Sequence, residues 1–386
     1  MSAAVPTEEV PDYRSALASV ISETIAPAAA ELDRSGSYPR PALDALAAAG
    51  ILGLMSSPEV GGGGGSLGDA AEVVQRIAEA CGSTAMVVLM HYAAVTAVEE
   101  HGPRDVREAI ARGEHVCSLA FSEAGSRSHY WAPMSTATAE GDRVRLQAAK
   151  SWVTSAGEAD SYVWSSRPVE ADGPMTLWLV PADAAGLRTA GPFDGVGLRG
   201  NGSNPVTADG VVVPADARLG ADGEGLDIAT SIMLPTFLVG NAAFSVGLME
   251  ALVGEAAAHL MRTRLEHLDQ TLAQQPISRA EFARVRTRAD EAKAFLVDTL
   301  AALESGRADA ELRVLQVKAV TAEASSAVAD GVMRLCGGAA FRKELGVERR
   351  FRDSLAARVM APTTGALHDF VGRAALGMPL FDEVDA

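Results

Sequence analysis

The chain has 386 residues and a formal net charge of −17 at pH 7. Such an acidic surface disfavours nucleic-acid backbones and anionic membranes. With 48% hydrophobic residues, the chain is globular, with core enough for two or three packed subdomains, and is excluded from the disordered class. The three cysteines, Cys81, Cys117 and Cys336, have no CxxC spacing. They argue against a disulfide framework or a metal site and for buried thiols in a reducing compartment. Residues 1–12 are acidic and contain proline, unlike a signal peptide, and no apolar run reaches the roughly 18 residues of a membrane span. A cytoplasmic protein is expected.

In chain order, residues 13–32 have a helical pattern with Ile21 and Ile25 on one face. Residues 37–40 break it, and Pro41 suits the first turn of a helix over 42–49 that ends at Gly50. Gly61–Gly65 lacks the Lys-Ser/Thr of a phosphate-binding loop and follows no clear strand, so it reads as a flexible connector. Residues 66–81 are helical. Gly82-Ser83-Thr84 offers an N-cap for an apolar helix over 85–102. That helix carries His91, which is either a core residue with a satisfied hydrogen bond or a polar group facing an active cavity. The N-terminal helical domain is placed at 1–115.

A middle β domain is expected over 116–224. The loop Ser122-Glu123-Ala124-Gly125-Ser126-Arg127-Ser128 passes into alternating residues, a Gly141-Asp142 turn, and a second alternating run that ends in Lys150-Ser151-Trp152-Val153-Thr154. Period-two alternation around Gly-Asp predicts a hairpin. Its rim carries the hydroxyls of Ser122, Ser126, Ser128, Thr154 and Ser155, the carboxylate of Glu123 and the indole of Trp152. Hydroxyls for a polar edge and an indole for a face can hold a flat heterocycle. Residues 163–166 and 175–180 read as further strands, and Val211-Val212-Val213-Pro214 closes the domain.

Residues 225–386 are expected to form a C-terminal helical bundle. The apolar run 226–255, interrupted by Pro235, reads as a buried helix that continues through Ala256–Leu268. Two further long helices follow over 280–306 and 308–334. Then come Arg334-Leu335-Cys336-Gly337-Gly338-Ala339-Ala340-Phe341 and Glu348-Arg349-Arg350-Phe351-Arg352-Asp353.

These pieces, in this order, resemble the acyl-CoA dehydrogenase superfamily. That family has a Thr-Glu-Pro-x-x-Gly-Ser loop, a Gly-Asp turn, Lys-x-Trp-Ile-Thr, a Gly-x-Arg-x-Ser loop (here within Gly195–Ser203), Gln-x-x-Gly-Gly-x-Gly-Phe and an Arg-Asp pair. The resemblance covers residues 15–380. It implies a mainly α, α+β fold: a helical N-terminal domain, a small β-barrel or sandwich, and a C-terminal four-helix bundle. It also implies FAD. Ser122 would contact the pyrimidine edge, Thr154 would approach N5, Trp152 would cover the ring, and Ser128 would lie near the substrate or the flavin phosphates. Arg264, the best match to an arginine that crosses to a partner's diphosphate, would be followed by Gln275. Arg334, Gly337 and Gly338 would meet the adenosine half of a partner's FAD, and Thr363 the diphosphate or ribityl region. Cofactor sites shared in this way require a homodimer or homotetramer.

The chain departs from the family where the base should be. Family members carry a catalytic Glu either in a Tyr-Glu-Gly-Thr segment or on the long helix after the β domain. Here those positions are Ala361 and Phe237, and neither side chain accepts a proton. His91, His368, Asp369 and Glu266 are the alternative bases, an imidazole being apt near neutrality; His91, Thr154 and His368 are the expected catalytic groups. The expected function is FAD-dependent oxidation of the CH–CH group of an acyl thioester, on coenzyme A or a carrier protein, by a non-standard base. The alternative is a flavin monooxygenase that hydroxylates carbon or nitrogen of a small molecule with reduced flavin (FMN in a two-component system) and O₂. An electron-transfer or flavin-reductase partner would serve one or the other. No metal is expected.

Overall fold

Pro41 lies in the first turn of α3 (Arg40–Ala48), where a missing N–H costs nothing, whereas Pro235 lies at the start of α8 (Leu234–Arg262), directly after a π-helical stretch. The computed structural model describes residues 12–127 and 129–381. Ser128 therefore lies outside the described residues. The N-terminal part continues with α1 (Tyr13–Val20), a π-helical stretch (Ile21–Ile25), α2 (Ala26–Ser35), α4 (Leu67–Ala80), α5 (Gly82–His101) and α6 (Arg104–Ala111).

The five glycines before α4 are not a loose connector. The N–H groups of Gly63, Gly64 and Gly65 donate to the carbonyls of Gly53, Ser56 and Leu54 at 3.0, 2.9 and 2.7 Å. A Cβ on Gly62 would lie 2.2 Å from the Ser56 carbonyl oxygen, so the run is glycine because two backbones touch there. Ser66 then caps α4 in a reciprocal capping box with Asp69.

The middle domain is two four-stranded sheets. One has the order β1 (Cys117–Ala120), β4 (Ser161–Ser166), β5 (Thr176–Pro181), β8 (Arg218–Leu219), with β1 parallel to β4. The other has the order β2 (Thr136–Glu140), β3 (Arg143–Val153), β7 (Asn204–Pro214), β6 (Leu187–Thr189), all antiparallel. The Gly141-Asp142 turn joins β2 to β3 as expected, pairing Glu140 with Arg143. Leu146, Trp164, Trp178 and Val211 fill the core of this domain. Strand β4 is buried along its whole length. Tyr162 and Trp164 belong to the β-domain core, while Val163 joins the helical core. A strand covered on both faces loses the alternation that marks a half-exposed one.

The C-terminal part is α7 (Gly225–Ile228), a π-helical stretch (Ala229–Met233), α8, α9 (Pro276–Glu304), α10 (Ala310–Cys336), α11 (Val347–Ser354), α12 (Ala356–Val359) and α13 (Thr364–Ala375). Helix α8 ends at Arg262. A short ribbon of β9 (Arg264–Leu265) and β10 (Gln270–Thr271) replaces the helical continuation expected to Leu268. The helical segment Gly225–Arg262 is long and apolar enough to cross a membrane, but 89% of its most apolar window is buried inside the protein. It packs against α4, α5, α9 and α10, which explains apolar residues on every side.

Candidate active site

A cavity of about 1090 Å³ opens where the three parts meet. Its β-domain wall depends on a bulge. The pairing of β3 with β7 slips between Lys150 and Val153, and Trp152 takes φ +58°. A bulky residue in the left-handed region is costly and is kept where it re-aims a side chain. Here the indole is 70% exposed at the cavity.

The buried pair behind the bulge holds the loop. The Lys150 ammonium lies 2.6 Å from Glu123 and also donates to the Ser165 carbonyl at 2.7 Å. Glu123 additionally accepts from the Met134 and Ser135 N–H groups. Burial opposes its ionisation, but Lys150 and these donors keep its carboxyl below the usual range. Glu123 is therefore a loop anchor, not a rim carboxylate. Beside it, Ser122 and Thr154 line the cavity, and the Thr154 hydroxyl lies 3.2 Å from that of Ser203.

The segment from Phe193 to Leu198 forms another part of the wall. Leu198, at φ +51°, donates its N–H to Asp353 at 2.7 Å. A Cβ on Gly197 would sit 2.5 Å from the Arg352 carbonyl oxygen, so the loop can approach the bundle only there as glycine. Arg352 ties all three parts together: it pairs with Asp33 at 2.6 Å and Glu348 at 2.7 Å and donates to the Val196 carbonyl at 3.0 Å. Burial pushes the Asp353 carboxyl up to about 6.

The bundle side carries Phe237 from α8 and the segment Met360–Thr363. Thr363 caps α13, its hydroxyl accepting from the Ala366 N–H. Behind this segment the buried Lys318 ammonium donates to the carbonyls of Met360 and Pro362 at 2.9 and 2.7 Å. Among the lining residues Asp194 is the one carboxylate, and it is paired with Arg199.

Three domain descriptions account for nearly the whole chain: "Acyl-CoA dehydrogenase, N-terminal domain" matches residues 7–113, the middle domain 118–211 and the C-terminal domain 223–376. The chain belongs to the acyl-CoA dehydrogenase family. It is a flavin-dependent oxidoreductase by that membership. The short-chain-specific acyl-CoA dehydrogenase of Clostridium acetobutylicum is 22% identical over 345 residues, covering 86% of this chain and 88% of that protein. Among solved structures, butyryl-CoA dehydrogenase from Megasphaera elsdenii superposes with a TM-score of 0.88 at 19% identity, over 97% of this chain and 100% of that one. The prolyl acyl carrier protein oxidase AnaB gives 0.84 at 19%, over 96% and 100%. These two likenesses carry the fold.

In this acyl-CoA dehydrogenase family member the cavity brings together Ser122, Trp152, Thr154 and Thr363, and it places both Ala361 and Phe237 on the same wall. The remaining expected residues lie elsewhere. Arg264 pairs with Asp269 on the ribbon, and the Gln275 side chain donates to Gln270 at 2.7 Å. Arg334 lies beside Asp330, followed by exposed Gly337 and Gly338. None of these lines the cavity of its own chain.

His91 is corrected to a packing residue. It is fully buried and absent from the lining. Its Nδ1 accepts from the Cys117 N–H at 3.1 Å, so Nε2–H donates to the Leu52 carbonyl at 3.1 Å. Burial pushes it down to about 4, which keeps it neutral. His368 is likewise corrected: it is exposed on α13, 3.6 Å from Glu323. Asp369 pairs with Arg373, and Glu266 sits in the exposed ribbon turn.

Sequence reasoning overlooked His129. It lines the cavity, and its Nδ1 lies 2.9 Å from the Ser126 carbonyl. With Nδ1–H donating there, Nε2 keeps a free lone pair. Its position directly after Ser128 of the recognised loop was the available signal. Arg127, Arg358 and Ser203 on the lining were overlooked too.

Proposed function

We propose that the protein binds FAD in this cavity and oxidises the CH–CH group of an acyl thioester, using an imidazole where relatives use a carboxylate. The observation that carries the reading is the convergence on one cavity of Ser122, Trp152 and Thr154 from the β domain and Thr363 from the bundle, with Phe237 and Ala361 also on the bundle side. The residues present suit a flavin. Hydroxyls meet a heteroatom edge, an exposed indole meets a ring face, and about 1090 Å³ exceeds what a small ligand needs. The flavin, when bound, supplies the two-electron acceptor.

The protein's own contribution is then positional and acid–base. Phe237, Met360 and Ala361 exclude water from the acyl chain. His129 Nε2 takes the α proton as the β hydrogen departs with its electron pair, which leaves an unsaturated thioester. Both coenzyme A and a carrier protein remain suitable carriers, since relatives of this fold are named for each. Arg334, Gly337, Gly338 and Arg264, all outside their own cavity, fit a homodimer or homotetramer in which they reach a neighbour's cofactor. Reduced flavin would pass its electrons to an electron-transfer partner.

An anaerobic titration of the yellow holoenzyme with saturated acyl thioesters tests this. Bleaching near 450 nm is expected, and His129→Gln should slow it by roughly 10²–10⁴-fold. The apolar pair Phe237 and Ala361 also favours a second reading, oxygen insertion by supplied reduced flavin, since that reaction needs a dry wall and no carboxylate. No bleaching by any thioester, together with O₂ consumption driven by reduced flavin, would select it.

A further inference from the structure

In a chain whose aromatic residues make up only 5%, five rings meet beside the cavity. The Trp131 indole is their centre. Its centroid lies 4.8 Å from that of the His129 ring, with the planes at 71°, and 5.3 Å from that of Tyr130. It also meets Phe370 at 5.2 Å and Phe381 at 5.3 Å, and those two rings meet each other at 5.5 Å. Edge-on and tilted contacts at these separations are the ones aromatic pairs favour. Elsewhere among the described residues ring contacts stop at a pair, His91 with Tyr92. Trp131 is buried and does not line the cavity, whereas its neighbours His129 and Tyr130 do. Its Nε1–H is buried without a partner, so the indole is kept for its ring and not for a hydrogen bond.

The cluster ties the β-domain loop to the bundle. Phe370 lies on α13, which begins at the Thr363 cap and so continues from the wall segment Met360–Thr363. The loop has its own turns: the His129 N–H donates to the Ser126 carbonyl at 3.1 Å, and the Ala132 N–H to the His129 carbonyl at 3.2 Å. Such turns shape the loop but do not fix where it stands against the bundle. Trp131 does, through Phe370 and Phe381. The exposed His129 ring is thus held at two points, the Ser126 carbonyl and the Trp131 indole.

We propose that Trp131, backed by Phe370 and Phe381, is the positioning residue that sets the place and plane of the His129 imidazole against the acyl thioester. This rests on the reading of His129 as the base. A base acts only where its lone pair meets the proton at hydrogen-bond range, and a displacement of about 1 Å can cost roughly a hundredfold. The bond to Ser126 selects the tautomer but is a pivot; the indole against the ring supplies the second restraint. Phe381 does not line the cavity, so its effect on the reaction passes through Trp131.

Anaerobic bleaching of the holoenzyme by saturated acyl thioesters is followed by stopped flow in the wild type, Trp131→Phe, Trp131→Ala and Phe381→Ala, each with and without His129→Gln. Trp131→Ala should lower the limiting rate roughly ten- to hundredfold and leave the half-saturating thioester concentration and FAD affinity unchanged. Phe381→Ala should do the same to a lesser degree, and Trp131→Phe should keep most of the rate. In the His129→Gln background these changes should have no further effect, because the group they position is gone. If Trp131→Ala does not fold, the half-buried Phe381 carries the test. A second readout needs no flavin. A protonated imidazole quenches an indole that it touches, so in the full-length apoprotein mild acid should quench a fluorescence component that both Trp131→Phe and His129→Gln lack. The assignment is overturned if the Trp131 and Phe381 variants slow His129→Gln as much as they slow the wild type, if they leave the wild-type rate unchanged, or if the acid-quenched component is missing. A wild type that no thioester bleaches, or a His129→Gln variant that bleaches at the wild-type rate, ends the base reading and this one with it.

Discussion

The ammonium of Lys318 lies 2.7 Å from the carbonyl oxygen of Pro362, directly behind the segment that carries Ala361. It is fully buried and makes its hydrogen bonds to backbone carbonyls, a second one to Met360 at 2.9 Å. Burial without a counter-charge pushes it down to about 7. The unfolded chain therefore holds this proton more tightly between about pH 7 and 10.5, and stability rises with pH across that window. From pH 7 to 9 the gain is about 2 kcal/mol by linkage. Urea unfolding at the two pH values should show it in the wild type and not in Lys318→Met. A Lys318→Met protein with the same pH slope would refute the assignment.

His91 and Asp353 act on the acid side with opposite signs. His91, pushed down to about 4, gives stability that is present above about pH 6.5 and lost as pH falls through 4. Asp353, raised to about 6, gives stability that is present below about pH 4 and lost as pH rises through 6. His91→Gln should flatten the loss between pH 6.5 and 4, a term of about 3 kcal/mol at most. The pH profile of flavin reduction should be the same in His91→Gln as in the wild type. An altered profile would return His91 to the chemistry.

Glu123→Gln leaves the Lys150 ammonium buried without its charge partner. A loss of about 3 kcal/mol is expected, the usual cost of breaking a buried pair. Because Glu123 also holds the Met134 and Ser135 N–H groups, flavin affinity should fall together with the urea midpoint. A variant with an unchanged midpoint would mean that water reaches the pair.

Trp152 shows the reverse pattern. Its backbone is strained at φ +58° and its side chain is mostly exposed. Trp152→Gly relieves the strain, so stability should hold or rise by about 1 kcal/mol. Flavin binding should weaken by roughly tenfold, the scale of an aromatic stacking contact. Calorimetry of FAD binding beside thermal melts would separate the two effects.

Ala361→Glu places a carboxylate on the wall that also carries Phe237. If proton removal limits the reaction, flavin bleaching by an acyl thioester should quicken by at least tenfold, because general-base catalysis is worth roughly 10²–10⁴. Stopped-flow absorbance under anaerobic conditions measures it. An unaltered rate would show that another step, or another reaction, governs the site.

Local pattern and motif were enough for the family, the three-part helical, β and helical order, the Gly141-Asp142 hairpin and the buried run over 226–255. These are properties of spacing and residue type, which the linear chain records directly. Folding decided the rest. His91 was open between a core residue and a group facing the cavity, and it is held at both nitrogens by Leu52 and Cys117, residues remote in the chain. Five glycines looked loose and prove to be pressed against Gly53–Ser56. Arg127, His129 and Arg358 carry no pattern of their own; folding alone brings them to one cavity. Hydrogen-bond satisfaction and charge compensation depend on neighbours in space, and those neighbours exist only once the chain has packed.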